Sequence, residues 1–130
     1  MKKIITISTL LLLLTGCGNT IICKTKNGDI KEEQHIKYNG NNITKITTKK
    51  IYKFKNKEDF KKMEGIIKYS VKLGTSDNVT SSYKKKNKKY ILTQEYNISK
   101  MSEDQIKKSN VSNNKEEYIN ELKSTGLTCK

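Results

Sequence analysis

Apolar positions change their period several times along this chain. From Ile4 to Leu14 they run almost unbroken, interrupted only by Thr6, Ser8 and Thr9. Beyond Gly18 the period falls to about two, the spacing that puts alternate side chains on opposite faces of a strand. Ile21 to Lys26 reads as a first strand, ended by the turn signal Asn27-Gly28-Asp29. Ile30 to Tyr38 reads as a second, with Ile30, Glu32, Gln34, Ile36 and Tyr38 on one face and Lys31, Glu33, His35 and Lys37 on the other. Asn39-Gly40-Asn41-Asn42 is a hairpin signal. Ile43 to Phe54 is a long third strand with an imperfect period. Ile46, Tyr52 and Phe54 share one face and Ile43 and Ile51 the other, a pattern that suggests a bulge.

The period then lengthens. Phe60, Met63, Ile67 and Val71 recur at three and four residues, the stripe of a helix that packs on a sheet. Asn56 suits its N-cap, Glu58 and Asp59 suit the positive end of its dipole, and Gly74 suits its stop. Val79 to Lys85 and Lys88 to Ile98 follow as a hairpin around Lys86-Asn87. Ser102 with Gln105 matches a capping box, which predicts a short helix from Glu103 to about Lys108. Asn113 with Glu116 predicts a last helix over about 114–125, with Tyr118, Ile119 and Leu122 inward and Gly126 as its left-handed stop. The order β-β-β-α-β-β-α-α implies an α+β domain. Its expected architecture is an antiparallel sheet of about five strands, a main helix after the third, and two C-terminal helices, all helices on one face.

The opening run needs a different reading. Lys2 and Lys3 precede it, and at 11 residues it is far short of the ~20 that a spanning helix needs. Small residues follow, as a signal peptidase requires. Leu14-Thr15-Gly16-Cys17 resembles a bacterial lipobox. The resemblance implies cleavage between Gly16 and Cys17 and a diacylglyceryl thioether, palmitate-like in its chains, on Cys17. Two acyl chains suffice for a stable anchor, whereas one is marginal. The expected organisation is a signal peptide at 1–16, a lipidated cysteine and short tether at 17–20, and one domain at 21–130. The expected location is the outer face of the bacterial cytoplasmic membrane. So short a tether leaves only about 10 Å of slack at ~3.3–3.6 Å per residue, close to the ~8 Å Debye length at physiological salt.

Composition adjusts this picture in two ways. The chain has 27 Lys and Arg, all of them Lys, against 13 acids. Without Lys2 and Lys3, 25 lysines remain against the same 13 acids, a formal +12. Ala, Arg, Pro and Trp are absent, while Lys, Asn and Ile abound. That is the codon bias of an AT-rich genome, so part of the lysine excess needs no partner. The lack of Arg also argues against nucleic acid, whose bidentate readout favours the guanidinium fork.

With Cys17 assigned to lipid, Cys23 and Cys129 remain, and they permit one intramolecular pairing. An extracytoplasmic compartment permits disulfides. We expect a Cys23–Cys129 bridge joining the first strand to the C-terminal tail; two free thiols are the alternative. Two cysteines and one histidine do not make a closed zinc site, so neither metal nor cofactor is expected.

Candidate chemistry is sparse. His35 stands among charged residues on an outward face, which reads as a solvated histidine rather than a general base. Glu103/Asp104 and Glu116/Glu117 fall at helix starts, where the dipole accounts for them. Glu32/Glu33 alternate along a strand. Lys84, Lys85, Lys86, Lys88 and Lys89 surround a turn and are flanked by Tyr83 and Tyr90. They are candidates for contact with anionic phospholipid or wall polymer, although a solvated turn that discourages edge pairing is the preferred reading.

The lipobox, the segment Ile36 to Lys45, the helix from Asn56 and the Tyr83 to Lys100 hairpin together resemble the small YehR-like bacterial lipoproteins. The resemblance implies a lipoprotein and an α+β fold, and carries no activity or catalytic residues. The function expected is that of a monomeric, non-enzymatic binding or envelope-accessory module. An adhesin-like protein that binds anionic polymer or phospholipid through its lysines is the alternative.

Overall fold

The computed structural model describes residues 19–130; the apolar leader, the lipobox-like sequence and Cys17 lie outside the described residues. Six strands form one antiparallel sheet: β1 (Asn19–Asn27), β2 (Ile30–Asn39), β3 (Asn42–Lys53), β4 (Val79–Lys86), β5 (Lys89–Tyr96) and β6 (Thr128–Cys129). Their spatial order is β4-β5-β3-β2-β1-β6. Helix α1 (Lys57–Gly74) links β3 to β4. A single 3-10 turn (Ile98–Lys100), α2 (Glu103–Lys108) and α3 (Lys115–Ser124) link β5 to β6. The α+β architecture is the one expected, with a sixth strand where the sequence reads as a tail.

Strand β1 begins at Asn19, two residues before the expected start. Its partner β6 completes the edge. Ile22 and Lys130 exchange both backbone bonds at 3.0 Å, so the adjacent pair Cys23↔Cys129 is the closer, non-hydrogen-bonded kind. There the two cysteines form a disulfide across a separation of 106 residues.

The imperfect period of β3 has a local cause. The β2–β3 register slips between Lys37 and Tyr38, leaving Thr44 as the extra residue of a bulge. Thr44 Oγ1 donates back to the Lys37 carbonyl at 3.3 Å. The bulge turns Ile43 onto the face of Ile46, and both are buried in one cluster. The sequence pattern alone places Ile43 on the opposite face.

Helix ends show which signals carry physical weight. Asn56 caps α1 by accepting from the Asp59 amide at 2.8 Å. Gly74, expected as a left-handed stop, is instead the last helical residue, with Thr75 following in an extended conformation. Its role is close approach: a Cβ there would lie 2.5 Å from Gln94 Nε2 and 2.7 Å from Ser81 Oγ. Ser102 and Gln105 form the expected capping box. The cap of α3 is Asn114, one residue later than expected, because the Asn113 carbonyl is taken by the Ile43 amide. Gly126 (φ 102°) ends α3, with Leu127 N–H bonded to the Leu122 carbonyl and Gly126 N–H to that of Lys123, the Schellman pattern. Ile98, expected in the second arm of the hairpin, belongs to the 3-10 turn. The ladder stops at Tyr96 because Asn97 N–H is bonded to the Asn78 carbonyl instead.

The three helices of the described residues lie against one face. The main core joins Cys23, Ile36, Ile43 and Ile46 from the sheet to Ile98, Ile106, Tyr118, Leu122 and Leu127. Fully burying one such aliphatic side chain contributes ~1.5–3 kcal/mol. A smaller cluster under α1 holds Ile67, Val79 and Tyr90, with Phe60 stacked on Tyr90 at 4.5 Å. Tyr90 Oη donates to the Phe60 carbonyl at 2.5 Å, which ties helix to strand.

Candidate functional site: the open face of the sheet

The register decides which strand residues share the uncovered face. Lys24 lies opposite Glu33, Glu33 opposite Lys49, and Lys49 opposite Thr93. Lys26, Lys31, Ile51, Ile91 and Lys84 form the next row across the same strands. Beyond them, Lys53 pairs with Lys89 and Lys89 with Lys86. Toward the start of β1, Lys37 pairs with Lys45, and Lys130 stands beside Ile22. Two lysines each from β1, β2 and β4, three from β3, one from β5 and Lys130 thus make eleven on one face. Glu33 and Glu95 are the acids that the same register places among them.

Those two acids are engaged. Glu95 pairs with Lys45 at 2.5 Å. Glu33 accepts a hydrogen bond from the His35 ring and lies 3.9 Å from Lys24. The His35 bond holds the Glu33 carboxyl below the usual carboxylate range; burial opposes this, and Lys24 and Lys49 reinforce it. His35 is therefore half-buried and paired, rather than free in solvent as its sequence context suggests.

The face is not flat. A hollow of about 620 Å³ is lined by Lys24, Lys26, Lys31, Lys49, Ile51 and Thr128, with Thr25, Glu32, Glu33 and Gly126 also on its wall. A second, of about 170 Å³, shares Lys26, Lys31 and Ile51 with it and extends to Gly28, Asp29, Lys53 and Lys89. A third, of about 400 Å³, shares Lys24 and Thr128 and reaches Ile22 and Lys130. Together they make a shallow trough running across the strands, from the β6 edge toward β5.

The five lysines singled out in the sequence do not form one patch. Lys84, Lys86 and Lys89 belong to the open face. Lys85 points to the helix side and bonds Glu64 of α1 at 3.1 Å. Lys88 sits in the two-residue turn with Asn87, both at positive φ, and its ammonium donates to the Lys55 carbonyl at 3.3 Å. The remaining eight lysines of the face were hidden because summing them needs the register of five strands. The alternation of Lys31, Glu33, His35 and Lys37 was the part visible in the sequence.

The other candidate residues are separated. Glu32 and Glu33 lie on opposite faces of β2, and Glu103/Asp104 and Glu116/Glu117 occupy the first turns of α2 and α3. Among the described residues no group of three His, Cys, Asp or Glu is placed to hold a metal ion, and no helix is long and apolar enough to cross a membrane. On the outer side of α1, Ile66, Tyr69 and Leu73 are 57%, 63% and 67% exposed. The deepest polar contact is Tyr118 Oη donating to Gln34 Oε1 at 2.7 Å inside the core, where burial pushes the phenol's pKa up.

No family model and no curated protein sequence matches the chain. Its structure is similar to the NMR structure of a protein from Streptococcus pneumoniae TIGR4, with a TM-score of 0.53 and 11% identity over 87% of each chain. At that identity the likeness speaks for the α+β fold.

Proposed function

We propose that this protein is a lipid-anchored, extracytoplasmic binding module that docks an anionic component of the bacterial envelope on the open face of its sheet. The observation that carries the reading is the segregation of charge: eleven lysines and two engaged glutamates on a face that no helix of the described residues covers. Burial keeps lysine off the covered face whatever its origin, but the open face would accept acids as readily, and its eleven lysines to two glutamates exceed the chain's own balance of 27 to 13. The helix-side strand positions hold Lys50 and Lys85, the second already paired with Glu64.

The anchor is proposed from the Leu-Thr-Gly-Cys sequence, and the resemblance to YehR-like lipoproteins supports it. The Cys23–Cys129 disulfide suits a compartment outside the cytoplasm. No reaction is assigned to the protein. His35 spends a ring nitrogen on Glu33, and the acid pairs of the sequence are split between faces and helix starts.

Two measurements on the whole protein test the reading. Cys17→Ser should abolish lipid labelling and release the protein from membranes; continued membrane partitioning of this variant defeats the anchor. Sedimentation with anionic and neutral vesicles, and with soluble polyanions, should show binding to anions alone, falling steeply with salt. Equal binding to neutral surfaces defeats the docking face.

A further inference from the structure

We infer that the anion is a linear, phosphate-bearing polymer that lies across the strands in the trough of the open face, rather than the bilayer that holds the anchor. This rests on the anion-docking reading above and narrows it to one class of ligand.

The first argument is where the charge sits. The half of the face near the start of β1 carries Lys37, Lys45 and Lys130, with Glu95 bound to Lys45. The half farther from that end carries eight of the eleven lysines, with Glu33 among them and Glu32 and Asp29 on the walls of its hollows. At ~3.3 Å per residue, Lys24 stands about 16 Å along β1 from Asn19 and Lys26 about 23 Å. Only Gly18 separates Cys17 from Asn19, and two residue steps reach at most ~7 Å. The start of β1 is thus the membrane-proximal end. In an upright domain the richest charge lies beyond the ~8 Å Debye length from the headgroups.

Shape supplies the second argument. Headgroups could reach this charge if the domain lay on its open face, but there the surface is hollowed. The three hollows share lining residues and follow one another across β6, β1, β2, β3 and β5. Four strand spacings of ~4.8 Å make that course about 19 Å long. A flat plane of headgroups spans such a hollow without filling it, whereas a chain can lie in it. Ile51 lines the first and second hollows beside Lys26 and Lys31, giving an apolar floor for the carbon segments between phosphates.

The chemistry of the side chains agrees. Lysine offers a mobile point charge, not a planar fork. A row of such charges suits successive phosphates in a flexible chain, where no single bidentate geometry has to be met.

The test uses the whole protein in neutral detergent, with long-chain inorganic polyphosphate, pyrophosphate and phosphatidylglycerol vesicles as probes. Two variants of equal charge change are compared: Lys31→Glu in the trough and Lys37→Glu on the same strand, outside the trough at the proximal end. Both positions are exposed, and circular dichroism confirms that each variant is folded. We expect polyphosphate to bind more tightly than pyrophosphate, with a linear dependence on log salt, and the trough variant to lose affinity by roughly tenfold or more. The proximal variant should lose much less. Binding to vesicles but not to polyphosphate overturns the polymer and keeps the docking face. Equal losses in the two variants overturn the trough as its seat. No binding to either probe defeats the docking reading itself.

Discussion

On β2, Gln34 and Ile36 face the helices and are buried, while His35 and Lys37, their immediate neighbours, stand on the open face. The same alternation runs through β1 and β3, where Cys23 and Ile46 are buried and Lys24 and Thr47 are not. One face is thus fixed by packing. A side chain there touches residues from elements far away in sequence, and a change of one methyl group is felt. The other face is free of that constraint and tolerates eleven like charges, because water and salt screen them. The difference separates two kinds of information: the covered face specifies the fold, and the open face is available for a partner.

Substitution on the two faces should break this comparison most plainly. Ile36→Ala removes a side chain that is completely buried in the main core and should cost about 2–5 kcal/mol by denaturant unfolding. Lys49→Ala on the open face should stay within about 0.5 kcal/mol of the parent protein. A large loss at Lys49 would mean that the open face carries structural weight. The disulfide comes next, because its bond lies on the covered side while the strand it secures ends the trough. Reduction should cost about 2–4 kcal/mol, and it should also weaken polyphosphate binding by freeing Thr128 and Lys130 at the trough's end.

The buried hydrogen bond between Tyr118 and Gln34 gives a smaller effect with a sharper cause. Tyr118→Phe leaves Gln34 Oε1 buried without its donor, while Gln34 Nε2 keeps its bond to Glu32 at 3.0 Å. The expected loss is about 1–3 kcal/mol. The double variant Tyr118→Phe/Gln34→Leu should recover part of it, since no buried acceptor is then left without its donor, and the half-buried Glu32 that loses the Gln34 bond can be hydrated instead. If the double variant is as unstable as the sum of the single ones, the bond is not the reason that a glutamine is tolerated in this core.

Much of the covered face was legible in the sequence. Strand periods, the α1 stripe, the Ser102–Gln105 capping box and the Gly126 stop all rest on local physics, and all take their expected places. What was not legible depends on distant partners. Ile43 changes face because of a bulge defined against Lys37. Gly74 is needed for two side chains on β4 and β5 rather than for its own φ. The tail becomes β6 only because β1 offers it a free edge. The candidate site belongs to this second class. Its densest sequence run, Lys84 to Lys89, divides between the open face, an ion pair under α1 and a turn, while the lysine trough is assembled from strands that the chain visits at different times.

Glu33 sharpens the comparison from the open side, where the expected effect is smallest. Its carboxyl is held below the usual carboxylate range by the His35 bond first, then by Lys24 and Lys49. A carboxyl whose folded pKa is lowered binds fewer protons in the folded state than in the unfolded one. Its stabilising contribution is therefore complete above the unfolded pKa and is lost as pH falls through the folded pKa. Because the side chain is about one-third exposed, screening limits that contribution to under about 1 kcal/mol. Glu33→Gln should accordingly be less stable than the parent by a constant, small margin near neutral pH. That margin should shrink below about pH 4.5 as the parent's own carboxyl takes up its proton. A margin that does not change with pH would show that the His35 contact acts through packing alone. The open face would then be as indifferent to its one central acid as it is to its lysines.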